Sequence, residues 1–347
     1  MTPHMKKIVQ YAVSILLTLG FLYFAFRGTD FGKLLDLMAK ANYWWALAGL
    51  PPLLVSHMFR TWRWYYLLRP VKEKMRFRNL WSALCVGYML NNVLPKVGEI
   101  VRPLAIGKLE GVSRSAAFGT LIVERIFDVL SFLIMVALLP LIYSGPLLQV
   151  FPWLQTTGIW ISAVTIGALA VCVILMLRRD LVVTLLGFLT KHLSAKRAES
   201  VSRIAHSFLD GFLFLKRPRH FAAIFLLSIL VWGLYFVMMY LPFYAFGLTE
   251  QYGLDFRASI VVQTISSLAY MAPTPGATGS YHYFTMEALT KLYGVDTEMA
   301  RSYATVTHAV GFIGITLIGL YYFWADKLHL AEFTSGEQSS GAQESQP

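Results

Sequence analysis

Long apolar runs alternate along the chain with short polar, charged or Pro/Gly-rich breaks. Six of the runs are long enough to cross a bilayer as helices, at about 1.5 Å of rise per residue. They cover Ile8 to Phe26, Tyr43 to Leu68, Ala116 to Tyr143, Thr156 to Leu177, Phe221 to Phe246 and Ala300 to Trp324. The first follows Lys6 and Lys7, and Phe26-Arg27-Gly28-Thr29 offers no small-residue cleavage site, so it reads as a retained span rather than a secretory signal. Gly28 to Asn42 mixes Asp30, Lys33, Asp36 and Lys40 with Leu34, Leu35, Leu37 and Met38, the pattern of a short interfacial helix. The second span opens on Tyr43, Trp44 and Trp45 and is broken by Pro51-Pro52. Near its end Arg60, Trp62, Arg63 and Trp64 suit an interface, with the two arginines as headgroup anchors.

Two further segments, Asn79 to Arg114 and Ala258 to Val295, each run an apolar helix into a Pro/Gly turn and then a second, weakly apolar helix. That is the pattern of a re-entrant hairpin, with an ordinary kinked span as the alternative. The turns are Asn91-Asn-Val-Leu-Pro-Lys-Val-Gly-Glu-Ile-Val-Arg102 and Met271-Ala-Pro-Thr-Pro-Gly-Ala-Thr-Gly-Ser280. Irregular backbone and ionisable side chains at membrane depth need protein or a polar cavity around them, so both turns mark a candidate functional site.

Loop charges orient the spans. Arg69 to Arg78 carries five basic residues against Glu73, and Arg178 to Arg219 carries nine against three acids, which assigns both to the cytoplasm. Ser144 to Gln155 is uncharged and Gly247 to Arg257 has Glu250 and Asp255 against Arg257, so both face outward. The first hairpin then enters from the cytoplasm and the second from outside. Two broken segments of opposite orientation predict an inverted repeat, its halves at about 43–143 and 221–324, with the binding site where the tips meet. The expected architecture is an all-α polytopic membrane protein: six full spans and two hairpins in one transmembrane domain, residues 1–330. The Ser/Gln/Gly/Glu-rich segment 331–347 reads as a disordered cytoplasmic tail, and both termini as cytoplasmic.

Composition agrees. The 347 residues are 56% hydrophobic, 15% aromatic and only 14% charged, with a mean hydropathy of +0.56, far more apolar than a soluble protein of this length. The net charge of +11 lies in loops between spans and points to anionic lipid headgroups rather than nucleic acid. Cys85 and Cys172 sit within apolar segments and fit neither a metal spacing nor a disulfide framework. No cofactor or metal is implied. His-Glu-x-x-His, Walker, Gly-x-Ser-x-Gly and Cys-x-x-Cys motifs are absent, which weighs against an enzyme without excluding one.

The candidate binding residues are Asn91, Asn92, Lys96, Glu99 and Arg102 of the first hairpin. Arg102 is a bidentate ligand for a lipid phosphate in this reading, with Glu99 three residues away as its counter-ion or a proton carrier; an interfacial ion pair is the plainer alternative. Glu124, Arg125 and Asp128 lie in the third full span, with Glu124 roughly 12 Å from its start by helical rise. Four residues apart, Glu124 and Asp128 share a face and require a cation, either as a transport pathway or as fold-holding ion pairs. In the second turn Thr274, Gly276, Gly279, Ser280 and His282 offer hydrogen-bonding groups and a Gly-rich backbone able to face an anion.

Four stretches in this order, Arg60-Thr-Trp-Arg-Trp-Tyr-Tyr-Leu-Leu68, Asn92-Val-Leu-Pro-Lys-Val-Gly-Glu-Ile-Val-Arg102, Glu124-Arg-Ile-Phe-Asp128 and Pro273-Thr-Pro-Gly-Ala-Thr-Gly279, resemble the lysylphosphatidylglycerol synthase/flippase transmembrane-domain family over roughly residues 5 to 327. The resemblance implies a multi-pass protein of a bacterial or archaeal inner membrane that moves a polar-headed lipid between leaflets. Two positions depart from the family's second turn: Ala277 replaces a Gly, and His282 stands where a Glu is common. The soluble aminoacyl-transfer domain of the two-part synthases has no counterpart in these residues, so lysyl-lipid synthesis is not implied. The expected function is a flippase-like transporter of a phosphate-containing lipid. The alternatives are a membrane transferase acting on a lipid-linked substrate and a non-catalytic partner of a separate lipid-modifying enzyme.

Overall fold

Side-chain caps and prolines set the helix ends. In the computed structural model, which describes residues 3–177, part of 201–210, and 218–328, α1 (Pro3–Phe26) turns through 85° into the short α2 (Phe31–Lys40). Asp30 caps α2 by accepting a bond from the Lys33 N–H, and α2 is the amphipathic helix that the sequence pattern predicts. Asn42 caps α3 (Tyr43–Ala48) in the same way. The break in the second span falls at Gly49, two residues before the first proline. Pro51 and Pro52 occupy the first turn of α4 (Leu50–Leu68), where a missing N–H costs nothing.

The first hairpin is α5 (Phe77–Val93) and α6 (Val97–Glu110), joined by a turn in which Lys96 takes the left-handed conformation at φ 64°. The chain continues through α7 (Arg114–Ile142), α8 (Leu147–Val150) and α9 (Trp153–Leu177). Beyond the segment 178–200 and the partly described 201–217 come α10 (Pro218–Ala245) and α11 (Leu248–Tyr252). The second hairpin is α12 (Phe256–Ser266), a 3-10 turn Ser267–Met271, a second turn Pro275–Ala277, and α13 (Ser280–Tyr293); α14 (Thr297–Ala325) closes the bundle. The basic stretch Arg178 to Arg219 lies mostly, and the tail 331–347 wholly, outside the described residues.

Among the described residues there is no strand, and α7, residues 220–245 of α10, and α14 are each long and apolar enough to cross a membrane. The α1–α2 elbow makes a further broken candidate. The protein is an all-α polytopic membrane protein. α4 is about 28 Å long by helical rise and carries Arg60, Arg63, His57 and Ser56, yet all four side chains are buried against neighbouring helices. The expectation that Arg60 and Arg63 anchor headgroups is corrected by this burial: their partners are carboxylates on α7, not an interface.

Helices approach most closely where glycine allows it, as expected where lipid gives no hydrophobic drive between helices. α5 and α6 meet backbone to backbone, so that a Cβ on Gly98 would lie 1.8 Å from the Gly87 carbonyl oxygen. α14 crosses α5 at Gly319, where a Cβ would lie 2.7 Å from the Cys85 carbonyl oxygen. α14 also packs along α13, which in turn packs on α1, so one long helix braces both hairpins. Apolar side chains form two main cores, one around Trp64, Leu67, Leu80 and Ile106 beside the first hairpin, the other around Phe243, Tyr303, Met239 and Leu289 beside the second.

Candidate functional site

α4 and α7 face one another with the spacing of a helix turn on each, Arg60 and Arg63 against Glu124 and Asp128. Arg60 Nη2 donates to Glu124 Oε1 at 3.0 Å and to Asp128 Oδ2 at 2.6 Å. Arg63 donates to the other oxygen of Asp128 and, through Nη1, to Ser228 Oγ of α10 at 3.0 Å. From the first hairpin Arg102 Nη2 donates to Glu124 Oε2 at 2.9 Å, its guanidinium lying 4.4 Å from the Trp64 ring centroid. Arg125 reaches Glu124 at 3.3 Å, Asp128 at 3.4 Å and Glu99 at 4.0 Å. Glu124 is fully buried at the centre of these contacts. Four guanidiniums thus enclose two carboxylates, and the arrangement ties α4, α6, α7 and α10 together.

Beside this layer lies a cavity of about 470 Å³. Its wall includes Asn91, Asn92, Lys96 and Glu99 from the first hairpin, Arg60 from α4, and Arg125 and Asp128 from α7. The second hairpin contributes Gln263, Tyr270, Thr274 and Gly276, and α10 and α14 add Trp232, Tyr235 and His308. The two hairpins meet at its edge. Lys96 Nζ donates to the Tyr270 carbonyl at 3.0 Å, and Gly276, at φ 53°, sits so close to Asn92 that a Cβ there would lie 2.7 Å from Asn92 Oδ1. Asn92 Nδ2 is held by Thr316 Oγ1 of α14 at 2.8 Å, and Asn91 Oδ1 accepts from the Gly98 N–H at 2.7 Å. Both asparagines therefore fix the first turn as well as facing the cavity.

The residues singled out from sequence divide into three groups. Asn91, Asn92, Lys96, Glu99, Arg125, Asp128, Thr274 and Gly276 line the cavity. Glu124 and Arg102 form the buried ion layer and are not part of the cavity wall, so Arg102 is an ion-pair partner of Glu124 rather than a cavity-facing cation. Gly279, Ser280 and His282 lie behind the second turn. Gly279 (φ 81°) allows α13 to approach the backbone of α1 at Thr18, Ser280 Oγ donates to the Ala269 carbonyl at 3.0 Å, and the His282 ring packs on Phe26 and His308. In their place His308 faces the cavity, with Nε2 2.9 Å from the Gly276 carbonyl oxygen. Sequence reasoning missed Tyr88, Tyr235, Gln263 and Tyr270, single polar or aromatic residues in apolar helices. It also read Arg60 as interfacial; the four-residue register of Glu124 and Asp128 against Arg60 and Arg63 was the available signal. Among the described residues no group of His, Cys, Asp and Glu is arranged to hold a metal ion.

The fold and cavity define a polytopic helical membrane protein with a charged, protein-lined chamber. The family profile described as the lysylphosphatidylglycerol synthase TM region matches residues 11–319, and the chain belongs to that family. A UPF0104 membrane protein of Methanothermobacter thermautotrophicus is 25% identical over 303 residues, covering 83% of this chain and 87% of its own. A second from the same organism is 23% identical over 350 residues, covering 92% and 93%. A UPF0104 membrane protein of Methanocaldococcus jannaschii is 30% identical over 137 residues, covering 37% and 40%.

Proposed function

We propose that the protein is a flippase-like transporter that moves a polar-headed, phosphate-bearing lipid across the cytoplasmic membrane through the cavity between its two hairpins. The observation that carries this reading is a single chamber walled by both broken segments and by Arg60, Lys96, Glu99, Arg125 and Asp128. Its volume of about 470 Å³ lies in the range of small-ligand sites. In this reading the hairpins are re-entrant and belong to opposed halves of an inverted repeat, with both termini on the cytoplasmic side. α6 and α13 have 14 residues each, about 21 Å of helix against a hydrocarbon core of roughly 30 Å. The basic loops contact anionic headgroups, and movement follows the lipid gradient or a coupled ion. A separate lipid-modifying enzyme would supply or consume the lipid. A transferase using Glu124 as base is less well supported, because that carboxylate is enclosed by guanidiniums.

The test is translocation of tail-labelled phosphatidylglycerol in proteoliposomes, read as the label's accessibility to an outside quencher. The full chain should exceed protein-free vesicles. Gly311→Phe should slow it, because Gly311 lines the cavity and a Cβ there would have only Leu53 Cδ2 nearby, at 3.4 Å, leaving the ring room to project into the chamber. Wild-type rates equal to those of protein-free vesicles refute transport, and Gly311→Phe rates equal to wild type refute this route.

A further inference from the structure

The cavity's charges do not cancel. The carboxylates on or directly behind its wall are Glu99, Glu124 and Asp128, and the cations are Arg60, Arg63, Arg102, Arg125 and Lys96. Counted as formal charges, this leaves a surplus of two positive charges in a partly desolvated chamber, where charge acts more strongly than in water. Protonating His57 or His308, the histidines on the wall, would enlarge the surplus. The pairs already formed engage the two carboxylates of α7, since Asp128 takes bonds from Arg60 and Arg63 and Glu124 from Arg60 and Arg102, and Arg125 comes within 4.0 Å of all three acids. A cationic headgroup would find no carboxylate without a guanidinium or ammonium near it. An anion would find Arg60, Arg125 and Lys96 on the chamber wall.

A second observation concerns uncharged groups. Three polar atoms of the cavity-lining residues, Tyr88 Oη on α5, His57 Nδ1 on α4 and Gln263 Oε1 on α12, are buried without a hydrogen-bond partner among the described residues. Buried polar atoms are ordinarily paired. Together they offer a hydroxyl donor, an amide acceptor and a ring nitrogen of either role, a set that suits a ligand's hydroxyl groups, which both give and accept.

We infer that the cavity selects an anionic phosphodiester lipid whose remaining headgroup is hydroxylated and uncharged, and discriminates against headgroups of net positive charge. The phosphate lies toward Arg60, Arg125 and Lys96, and the hydroxyls toward Tyr88, His57 and Gln263. This rests on the transport reading above for its biological meaning, but the selectivity is a binding property and is measurable without transport.

The experiment presents the full chain in detergent with equimolar phosphatidylglycerol, phosphatidylcholine and lysylphosphatidylglycerol, whose two ammonium groups and one phosphate make it cationic. Retained lipid is read by native mass spectrometry, and tail-labelled forms of the same three lipids are followed in proteoliposomes. Phosphatidylglycerol should be retained about tenfold or more over the cationic lipid, the scale on which misplaced like charges act in a desolvated site. Lys96→Glu, at an exposed position in the first turn, and Gln263→Glu, on the wall contributed by the second hairpin, should each erode that preference, while Lys96→Arg keeps it. Equal retention, or preference for lysylphosphatidylglycerol, overturns the selectivity and leaves transport standing. A retained preference with no translocation of any lipid supports the selectivity and refutes transport. Displacement of bound phosphatidylglycerol by equimolar glycerophosphoglycerol would identify a soluble phosphoester as the ligand and overturn the lipid assignment.

Discussion

Gly98→Ala tests whether the first hairpin depends on backbone contact. The added Cβ would lie 1.8 Å from the Gly87 carbonyl oxygen, 2.6 Å from its carbonyl carbon and 2.9 Å from Asn91 Cγ. Restoring ordinary contact at 3.4 Å requires α6 to move by about 1.6 Å, and no side chain can absorb this because the obstacle is main chain. Overpacking of this kind costs about 1–3 kcal/mol. The shift also stretches the 2.7 Å bond from the Gly98 N–H to Asn91 Oδ1, worth about 1 kcal/mol more. Gly233→Ala is the control, because a Cβ there meets nothing within 4 Å and alanine favours a helix by up to about 1 kcal/mol. Thermal unfolding in detergent should place Gly98→Ala well below wild type and Gly233→Ala at or slightly above it. Since α6 also carries Glu99 and Arg102, translocation should fall with the first and hold with the second. Equal melting temperatures for the two variants would refute the backbone contact.

Glu124→Gln should cost about 3–5 kcal/mol of stability, because four guanidiniums are left with less than their counter-charge inside protein; Asp296→Asn, which breaks an exposed pair with Lys33 at 2.8 Å, should cost under about 1 kcal/mol. Comparing the two by denaturant melts checks this order. Burial pushes the Glu110 carboxyl up, but bonds from the Arg76 N–H, Lys72 Nζ and Asn79 Nδ2 outweigh it and hold the group below its ordinary value. Its contribution is therefore full above about pH 4.3, the value in the unfolded chain, and is lost as pH falls through the lower folded value. Glu110→Gln should lower stability at pH 7 and flatten the acid limb of a melting-temperature profile; an unchanged limb would assign acid sensitivity elsewhere. Gly276→Ala adds a Cβ 2.7 Å from both Asn92 Oδ1 and the Phe312 ring at φ 53° and should slow translocation by parting the hairpin tips.

Much of the architecture was legible because lipid imposes strict rules. Apolar length marks α7, α10 and α14, and Pro95 with Gly98, or Pro275 with Gly279, marks the two turns. What the sequence hid was which polar residues turn inward together. Arg60 and Arg63 sit among Trp62 and Trp64, a composition shared by an interfacial belt and by a buried ionic seam, and only the carboxylates on α7 decide between them. Arg102 misled for a related reason: a cation beside a polar turn suggests a ligand site, yet Trp64 and Glu124 hold it behind the cavity wall. His282 lies behind the second turn because Gly279 docks α13 on α1, where the His282 ring packs on Phe26, and His308 of α14 faces the cavity instead.

If the protein carries lipid as proposed, the ionic seam sets its rate. A carrier must hold its cargo well enough to admit it and weakly enough to release it, and a guanidinium with no internal partner in a desolvated chamber would hold a phosphate too long. Here Arg60 and Arg125 are shared with Asp128, so a phosphate can bind only by partly displacing a carboxylate, and that carboxylate is on hand to displace the phosphate in turn. Asp128→Asn removes the competitor without changing the side chain's size. On this reasoning the variant should retain phosphatidylglycerol several-fold more strongly in native mass spectrometry while translocating it more slowly than wild type. Retention and rate falling together would show that Asp128 positions the arginines rather than competing for them, and would refute the exchange argument.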